Sequence, residues 1–523
     1  MEYRIYHTIK EIVKNAEDTY GSCDAVRYKT GKDTIEAKTY RQIGKDSRHF
    51  SDVIEKLGQQ GAHIALIGVT SYPWLVSYFG IVNGGSVAVP LDVALPAEEL
   101  CELMRRADVT MLVVDDIRKD VVEAAKNTCP FLQYIVSMGK EPVEGCLSMK
   151  DLLAERAEDI RVENTESTRA ENAKGTGTEK EIDPDALCTI MFTSGTTGKS
   201  KGVMLTQRNL AENATCLDMK IEENSVILSV LPIHHAYCLS MDILKGFSVG
   251  STICINDSLM RVARNIQLFR PQIMLMVPLM IESLAKKLEA AEGLPAEVVK
   301  EKVFGAQFHT IFSGGAYLNP DYIDLFARYG ISVLQGYGMT ECAPVIATTV
   351  AWNQKKDSVG QLLPNCEAKT VDGELWVRGS SVMSGYYKMP EETAAALEDG
   401  WLKTGDLGYT DEEGFVYLTG RKKNLIITKN GENVSPEEIE NKLSTKRLVA
   451  EILVREAEGV IVAEIFPDQE YAVKAGIEDV PAKLQEIIDS YNKDVPAYKR
   501  VYRLKVRKEE FPKTASRKIK RKI

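Results

Sequence analysis

The residues Thr193-Ser194-Gly195-Thr196-Thr197-Gly198-Lys199-Ser200-Lys201-Gly202 are dense in glycine, hydroxyls and cations, and they follow the apolar run Leu187 to Phe192, which reads as a buried strand. Such a loop suits polyphosphate. Glycines let backbone N–H groups turn inward as an anion nest, the hydroxyls donate, and the lysines offset charge. An ordinary Gly-rich turn is the bland alternative, but this composition directly after a strand favours phosphate. The spacing also excludes something. A Walker A loop needs four residues between its glycine and its Gly-Lys-Ser/Thr, whereas Gly195 and Gly198 enclose two. A P-loop kinase or nucleotide switch is therefore disfavoured.

The segment instead resembles the signature loop of the adenylate-forming superfamily, which includes acyl-CoA synthetases, luciferases and the adenylation domains of nonribosomal peptide synthetases. Lys201 matches that family's lysine, while Ser200 stands where many members have proline. The resemblance continues through the chain with motifs in the family's order. Leu231-Pro232-Ile233-His234-His235 resembles the substrate-side motif, with His235 at its gating position; an isolated His would otherwise read as a satisfied structural residue. Ser313-Gly314-Gly315-Ala316 resembles the adenine-binding turn, and Gln335-Gly336-Tyr337-Gly338-Met339-Thr340-Glu341 the central nucleotide motif. In that frame Tyr337 stacks on adenine, Thr340 donates to the α-phosphate, and Glu341 supplies a hard oxygen ligand for Mg²⁺. Gly336 to Gly338 is not a dinucleotide fingerprint, because Glu341 replaces the third glycine.

Two of the family's most specific segments follow, Trp401 to Gly408 and Leu418 to Asn424. They imply that Asp406 accepts from the ribose hydroxyls and that Arg421 brackets the sugar from the other side. An isolated Asp and Arg would read as a surface pair. Lys423 falls at the hinge position. Lys429 to Glu437 resembles the loop that lines the thiol tunnel in acyl-CoA synthetases, where Gly431 lets a pantetheine arm pass closely. Phe511 to Ile519 matches the C-terminal motif carrying the adenylation lysine, here Lys518; Arg517 replaces the usual glycine before it.

A carboxylate is an anion and a poor electrophile, so its attack on the α-phosphorus of ATP requires converging positive charge. The resemblance implies that Lys518 bridges carboxylate and α-phosphate, that Mg²⁺ on Glu341 neutralises phosphate oxygens, and that the glycine loop holds departing pyrophosphate. Catalysis is then positioning and charge stabilisation without a covalent enzyme nucleophile. A thiol next attacks the acyl-adenylate after the small domain turns about its hinge, exchanging the lysine loop for the Gly431 loop. Relatives that activate α-amino acids carry an Asp where this chain has Tyr237, so fatty, aryl or other apolar acids are expected. Gly420 to Glu437 looks most like bacterial long- and medium-chain acyl-CoA synthetases. Coenzyme A is the favoured acceptor, with the phosphopantetheine arm of an acyl carrier protein, or an aryl acid as substrate, as alternatives. A non-catalytic adenylate-binding relative finds support only in Ser200 and Arg517, since Thr340, Glu341, Asp406, Arg421 and Lys518 are all present.

The elements that must position these residues are those of an α/β protein. With 523 residues, 44% of them hydrophobic, the chain exceeds one ordinary core and should form at least two domains. The first 160 or so residues alternate apolar strands (Ile64 to Val69, Val87 to Pro90) with helical stretches (Trp74 to Val82), the pattern of parallel βα units. Residues 163–185 are polar and read as a flexible connection. Strand-like runs resume at Leu187 to Phe192, Val226 to Leu231, Ile273 to Val277, Thr310 to Phe312 and Ile331 to Leu334, with a helix at Leu279 to Ala291, so a second α/β unit is expected. The texture becomes shorter and more charged after Gly420, and Ser435-Pro436 caps a helix starting near Glu437. A boundary is placed there: 1–420 as the AMP-binding domain and 421–523 as the C-terminal domain. The family adds a distorted β-barrel to the two α/β subdomains of the large domain and makes the small α+β domain mobile.

No stretch approaches eighteen consecutive apolar residues, and the start lacks a signal peptide's apolar core, which points to the cytoplasm. Ten cysteines at irregular spacing without a C-x-x-C pair read as reduced thiols. The net charge of −10 conceals a tail, Lys499 to Ile523, that is +10 by itself. A solvated terminus is the bland reading. Nucleic-acid binding is disfavoured because no aromatic residues interleave the cations after Phe511.

Overall fold

The computed structural model describes residues 3–141, 143–154, 181–193, 200–428, 431–513 and 519–521. Two large sheets dominate. The first runs, from edge to edge, through Gly385–Tyr386, Lys201–Thr206, Leu187–Thr193, Val87–Leu91, His63–Ile67, Val109–Val114, Tyr134–Ser137 and Leu147–Ser148. Its central strands are continuous apolar runs because both faces are covered, as in other parallel sheets crossed by helices. The helix Tyr72–Asn83 illustrates the covering. Ser71 caps it through the Trp74 N–H, Pro73 lies in its first turn, and ten of its twelve residues are buried, which its all-round apolar sequence allows.

The second sheet runs Gln361–Leu362, Val345–Thr348, Ser332–Gly338, Thr310–Ser313, Ile273–Met276, Val226–Ser229, Thr252–Ile255, Asp24–Lys29 and Ile35–Thr39. Both α/β units expected from the sequence are present, but neither is a continuous stretch of chain. Asp24–Lys29 leaves the N-terminal unit to pair in parallel with Thr252–Ile255 (Val26 opposite Ile253), while Leu187–Thr193 and Lys201–Thr206 join the first sheet beside Val87–Leu91. Hydrophobic periodicity reports that a strand is buried, not which sheet receives it. The expected strand at Ile331 to Leu334 also continues to Gly338, so the central nucleotide motif is partly strand.

A third sheet, antiparallel and five-stranded, is built from Cys366–Val371, Glu374–Gly379, Trp401–Thr410, Leu397–Glu398 and Val416–Arg421. It stands where the barrel was expected. The C-terminal domain has its own core, drawn from Ile426 to Val501, in which the helices Pro436–Ser444 and Val480–Lys493 pack on the strands Val449–Ala457, Val460–Pro467 and Arg503–Val506. Ser435 caps the first of these helices, with Pro436 at its first position, as its sequence predicts. The polar connection at 163–185 lies outside the described residues up to 180. Among the described residues no helix is long and apolar enough to cross a membrane.

Candidate active site

The phosphate-type loop joins two antiparallel strands, with Thr193 opposite Lys201 and Phe192 opposite Gly202. A Walker A loop leads from strand into helix, so this connection supports the exclusion drawn from spacing. Ser194, Gly195, Thr196, Thr197, Gly198 and Lys199 lie outside the described residues. The end of the loop is anchored: Arg106 donates to the Ser200 carbonyl at 2.6 Å, and the short strand Gly385–Tyr386 lies along Val203 and Met204. Lys201 places its ammonium 4.6 Å from the centre of the Tyr386 ring, and the Tyr386 hydroxyl donates to Glu341 Oε1 at 2.9 Å. Burial and the adjacent carboxylate both push the Tyr386 hydroxyl above its ordinary value, so it keeps its proton at neutral pH.

Thr340 and Glu341 sit in a single 3-10 turn, Thr340–Cys342. Its position is fixed from three directions. Met339 N–H donates to the Pro344 carbonyl at 2.9 Å, Met383 N–H to the Glu341 carbonyl at 2.9 Å, and the Asn213 amide to the carbonyls of Cys342 and Val345 at 3.1 and 2.8 Å. Gly338 makes the turn possible, since a Cβ there would lie 2.0 Å from the Pro344 oxygen. Asn213 shares the helix Gln207–Thr215 with Asn209, which caps it reciprocally with Thr206 and donates to the carbonyls of Ser380 and Val382 at 2.7 and 3.0 Å. Sequence reasoning missed Asn209, Asn213 and Tyr386. Two asparagines four apart on a short helix, poor helix formers on one face, were the signal available.

Across the motif, the Tyr337 hydroxyl donates to Asp406 Oδ2 at 2.7 Å, and Arg421 Nε lies 2.6 Å from Asp406 Oδ1. Asp406 and Arg421 face each other directly in the strand pair Trp401–Thr410 and Val416–Arg421. The expected sugar-binding pair is thus also an ion pair, 6% exposed on the Asp side and 44% on the Arg side. Beside it Glu374 takes Lys422 at 2.8 Å and the Gly405 N–H at 2.9 Å.

Gly314 follows its strand into a turn, with its N–H on the Met276 carbonyl at 3.2 Å; a Cβ there would lie 2.9 Å from the Tyr237 ring. Gly315 and Ala316 continue that turn at the surface. Tyr237 and Gly336 are two walls of a small apolar cavity of about 20 Å³ whose other walls include Ile227, Met241, Ile273, Leu275 and Phe312. Lys245 also lines it. The lysine is fully buried, donates to the Leu217 carbonyl at 2.8 Å, and is pulled down to about 8 by burial. His235 is exposed, its ring 4.3 Å from that of His234. Burial first, and then His235, hold His234 down to about 4, so it is neutral at pH 7 with Asp92 Oδ1 3.7 Å away. Behind them Asp242 is fully buried, its Oδ2 accepting from Ser229 Oγ at 2.8 Å; burial pushes its carboxyl up to about 7.

Of the C-terminal expectations, Lys518 lies outside the described residues. Gly431 adopts φ +82 in a tight turn in which its N–H donates to the Thr428 carbonyl at 2.9 Å, so the turn itself calls for glycine. The site residues described therefore form one contiguous set, from Thr193 and Lys201 through Tyr386 to Thr340 and Glu341, and through Tyr337 to Asp406 and Arg421. Gly314 approaches the cavity wall through the Tyr237 ring, while His235 lies against His234.

These features define an α/β protein with a large N-terminal and a small C-terminal domain. Residues 15–387 match the AMP-binding enzyme family and residues 423–523 its AMP-binding enzyme C-terminal domain; the chain belongs to that family. It is 26% identical over 462 aligned residues to the long-chain-fatty-acid–CoA ligase FadD15 of Mycobacterium bovis, covering 79% of this chain and 74% of that protein. The 4-coumarate–CoA ligase of Vanilla planifolia is 27% identical over 520 residues, 94% of this chain and 88% of that one. Among solved structures, the o-succinylbenzoate CoA synthetase (MenE) of Bacillus subtilis in complex with the acyl-adenylate intermediate OSB-AMP superposes with a TM-score of 0.74 at 26% identity, covering 97% of this chain and 96% of that one.

The residues present fit a magnesium ion. Among the described residues no three carboxylate, histidine or cysteine side chains gather as a metal cage, while Glu341 offers one carboxylate whose Oε1 is fixed by Tyr386. One carboxylate completed by phosphate oxygens and water is the arrangement Mg²⁺ favours.

Proposed function

We propose that this protein is an acid–thiol ligase that activates an apolar carboxylic acid with ATP, releasing pyrophosphate, and passes the acyl group of the resulting acyl-adenylate to the thiol of coenzyme A. The observation that carries this reading is the unbroken run of contacts from Lys201 through Tyr386 to Glu341, and from the same motif through Tyr337 to Asp406 and Arg421, bordered by an apolar cavity at Gly336. Lys201, with Thr193 at the other end of the loop, faces the polyphosphate. Tyr337, Gly314, Gly315 and Ala316 form the adenine side, and Asp406 with Arg421 the ribose side. Thr340 donates to the α-phosphate, and Lys518 supplies the cation where carboxylate meets phosphorus. Glu341 would hold Mg²⁺, which offsets charge on the phosphate oxygens when bound. His235 and Tyr237 stand on the acid side, and the apolar residues packed beside Tyr237 and Gly336 would have to part to admit the acid's tail.

We place the domain boundary at 420/421, with Lys423 as the hinge and Gly431 in the loop that approaches the thiol. The ten free cysteines suit a reducing compartment, and we assign the protein to the cytoplasm. The test is a pyrophosphate-release screen over fatty and aryl acids, run with coenzyme A, with a carrier protein and with neither. AMP formation with a thioester product only when coenzyme A is present is the expected result. Thioester on the carrier protein alone would replace the acceptor, and no AMP with any acid would overturn the assignment.

A further inference from the structure

Glu341 and Lys201 bear opposite charges and both contact one aromatic ring, yet among the described residues neither belongs to an ion pair. A lysine and a glutamate that share one neighbour would gain by pairing with each other, since Coulomb attraction rises steeply in a half-dry site. Each instead rests on Tyr386. The residue is 7% exposed, its ring face carries the Lys201 ammonium at 4.6 Å, and its hydroxyl holds Glu341 Oε1 at 2.9 Å. The backbone that carries the ring is held on both sides. Tyr386 N–H donates to Thr393 Oγ1 at 2.9 Å, Ser384 N–H to the Met204 carbonyl at 3.0 Å and Tyr387 N–H to the Gly202 carbonyl at 2.8 Å, so the strand Gly385–Tyr386 is fastened to the strand that carries Lys201. Met383 N–H, on the same segment, is fastened to the Glu341 carbonyl at 2.9 Å.

We propose that Tyr386 is a positioning residue that keeps the Lys201 ammonium and the Glu341 carboxylate apart, so that the cation stays available to polyphosphate and the carboxylate to a divalent metal. The proposal rests on the assignment of Glu341 as metal ligand made above. A ring face stabilises an ammonium without neutralising it, and a phenol hydroxyl orients a carboxylate without removing its charge. An Arg or Lys at the same place would cancel one charge; a Leu would let the two combine.

Calorimetric titration of the full-length protein with ATP, once with Mg²⁺ and once with EDTA, separates these roles without relying on turnover. Tyr386→Phe keeps the ring and loses the hydroxyl. It is expected to weaken binding in Mg²⁺ roughly tenfold, the usual effect of removing a group that orients a metal ligand, while binding in EDTA changes by less than about twofold. Tyr386→Leu loses both roles and should weaken binding in both conditions. Glu341→Gln marks the full metal-dependent increment. If Glu341→Gln abolishes that increment and Tyr386→Phe leaves it intact, the proposal is overturned. It is also overturned if Tyr386→Phe weakens both conditions equally, the mark of a merely structural ring. A wild-type protein that binds ATP equally in Mg²⁺ and in EDTA would instead overturn the reading of Glu341, and with it this proposal.

Discussion

The two ends of the proposed nucleotide site treat charge in opposite ways. On the ribose side Asp406 and Arg421 sit opposite each other on paired strands and are already bound together, with Tyr337 on the remaining carboxylate oxygen. On the phosphate side Lys201 and Glu341 are held by a neutral ring and a hydroxyl. The first arrangement gives rigidity: a preorganised pair whose geometry is set before any ligand arrives. The second keeps charge in reserve for phosphate and metal, at the expense of local stability that an ion pair would have supplied. A site that binds a sugar by shape and a triphosphate by charge needs both kinds of end.

Substitutions can break this contrast. The largest effect is expected at Lys518. Lys518→Ala should reduce ATP–pyrophosphate exchange by at least about 100-fold, while thioester formation from a supplied acyl-adenylate stays largely intact. Equal loss in both assays would remove Lys518 from the first half-reaction. Glu341→Gln should lower exchange by roughly 100-fold but shift the unfolding free energy by less than about 0.5 kcal/mol. Arg421→Gln should do the reverse in stability: with Asp406 left nearly buried, about 2 kcal/mol is lost in chemical denaturation, discounted because the guanidinium is partly exposed. If the two variants proved equally stable, the distinction between the ends would fail. Lys423→Pro, which stiffens the proposed hinge, should slow thioester formation about tenfold more than adenylation, measured as separate half-reactions.

The smallest effect concerns pH and lies outside both ends. Asp242 holds its proton up to about pH 7 in the folded protein and ionises near its ordinary value when unfolded. Its contribution to stability is therefore complete in acid and fades as pH rises from about 4 to about 7. His234, held down to about 4, acts oppositely: below its ordinary value the unfolded chain takes up a proton that the folded chain refuses, so stability is lost as pH falls from about 6.5 to about 4. Across this range the pH dependence of the denaturation midpoint should be shifted toward rising with pH in Asp242→Asn relative to the wild type, because His234 is then unopposed. An unchanged slope would assign the titration elsewhere.

The legible parts of this protein were those whose physics is local. Leu187 to Phe192 and Ile273 to Val277 announced themselves because strands buried on both faces are almost wholly apolar, Thr189 being the one polar residue among them, and Ser435-Pro436 marked a helix start by its own capping chemistry. Asp406 and Arg421 stood out within long motifs, but their register across two strands did not. Tyr386 was passed over because Ser384-Gly385-Tyr386-Tyr387 carries no charge or glycine pattern that suggests chemistry; its role comes from a strand pairing nearly two hundred residues away along the chain. Asp24–Lys29 was unreadable for the same reason, since its partner is Thr252–Ile255.

That exchange of strands has a consequence for synthesis. As the chain leaves the ribosome, the segment around Val26 must wait for Ile253 to emerge, and the sheet containing Met204 lacks its edge until Gly385 has been made. Neither half can close early, so most of the polypeptide must be present before the native topology is available. Severing the gene between codons 154 and 181 would yield two pieces with exposed, unfinished borders, prone to aggregate separately and productive only when made together.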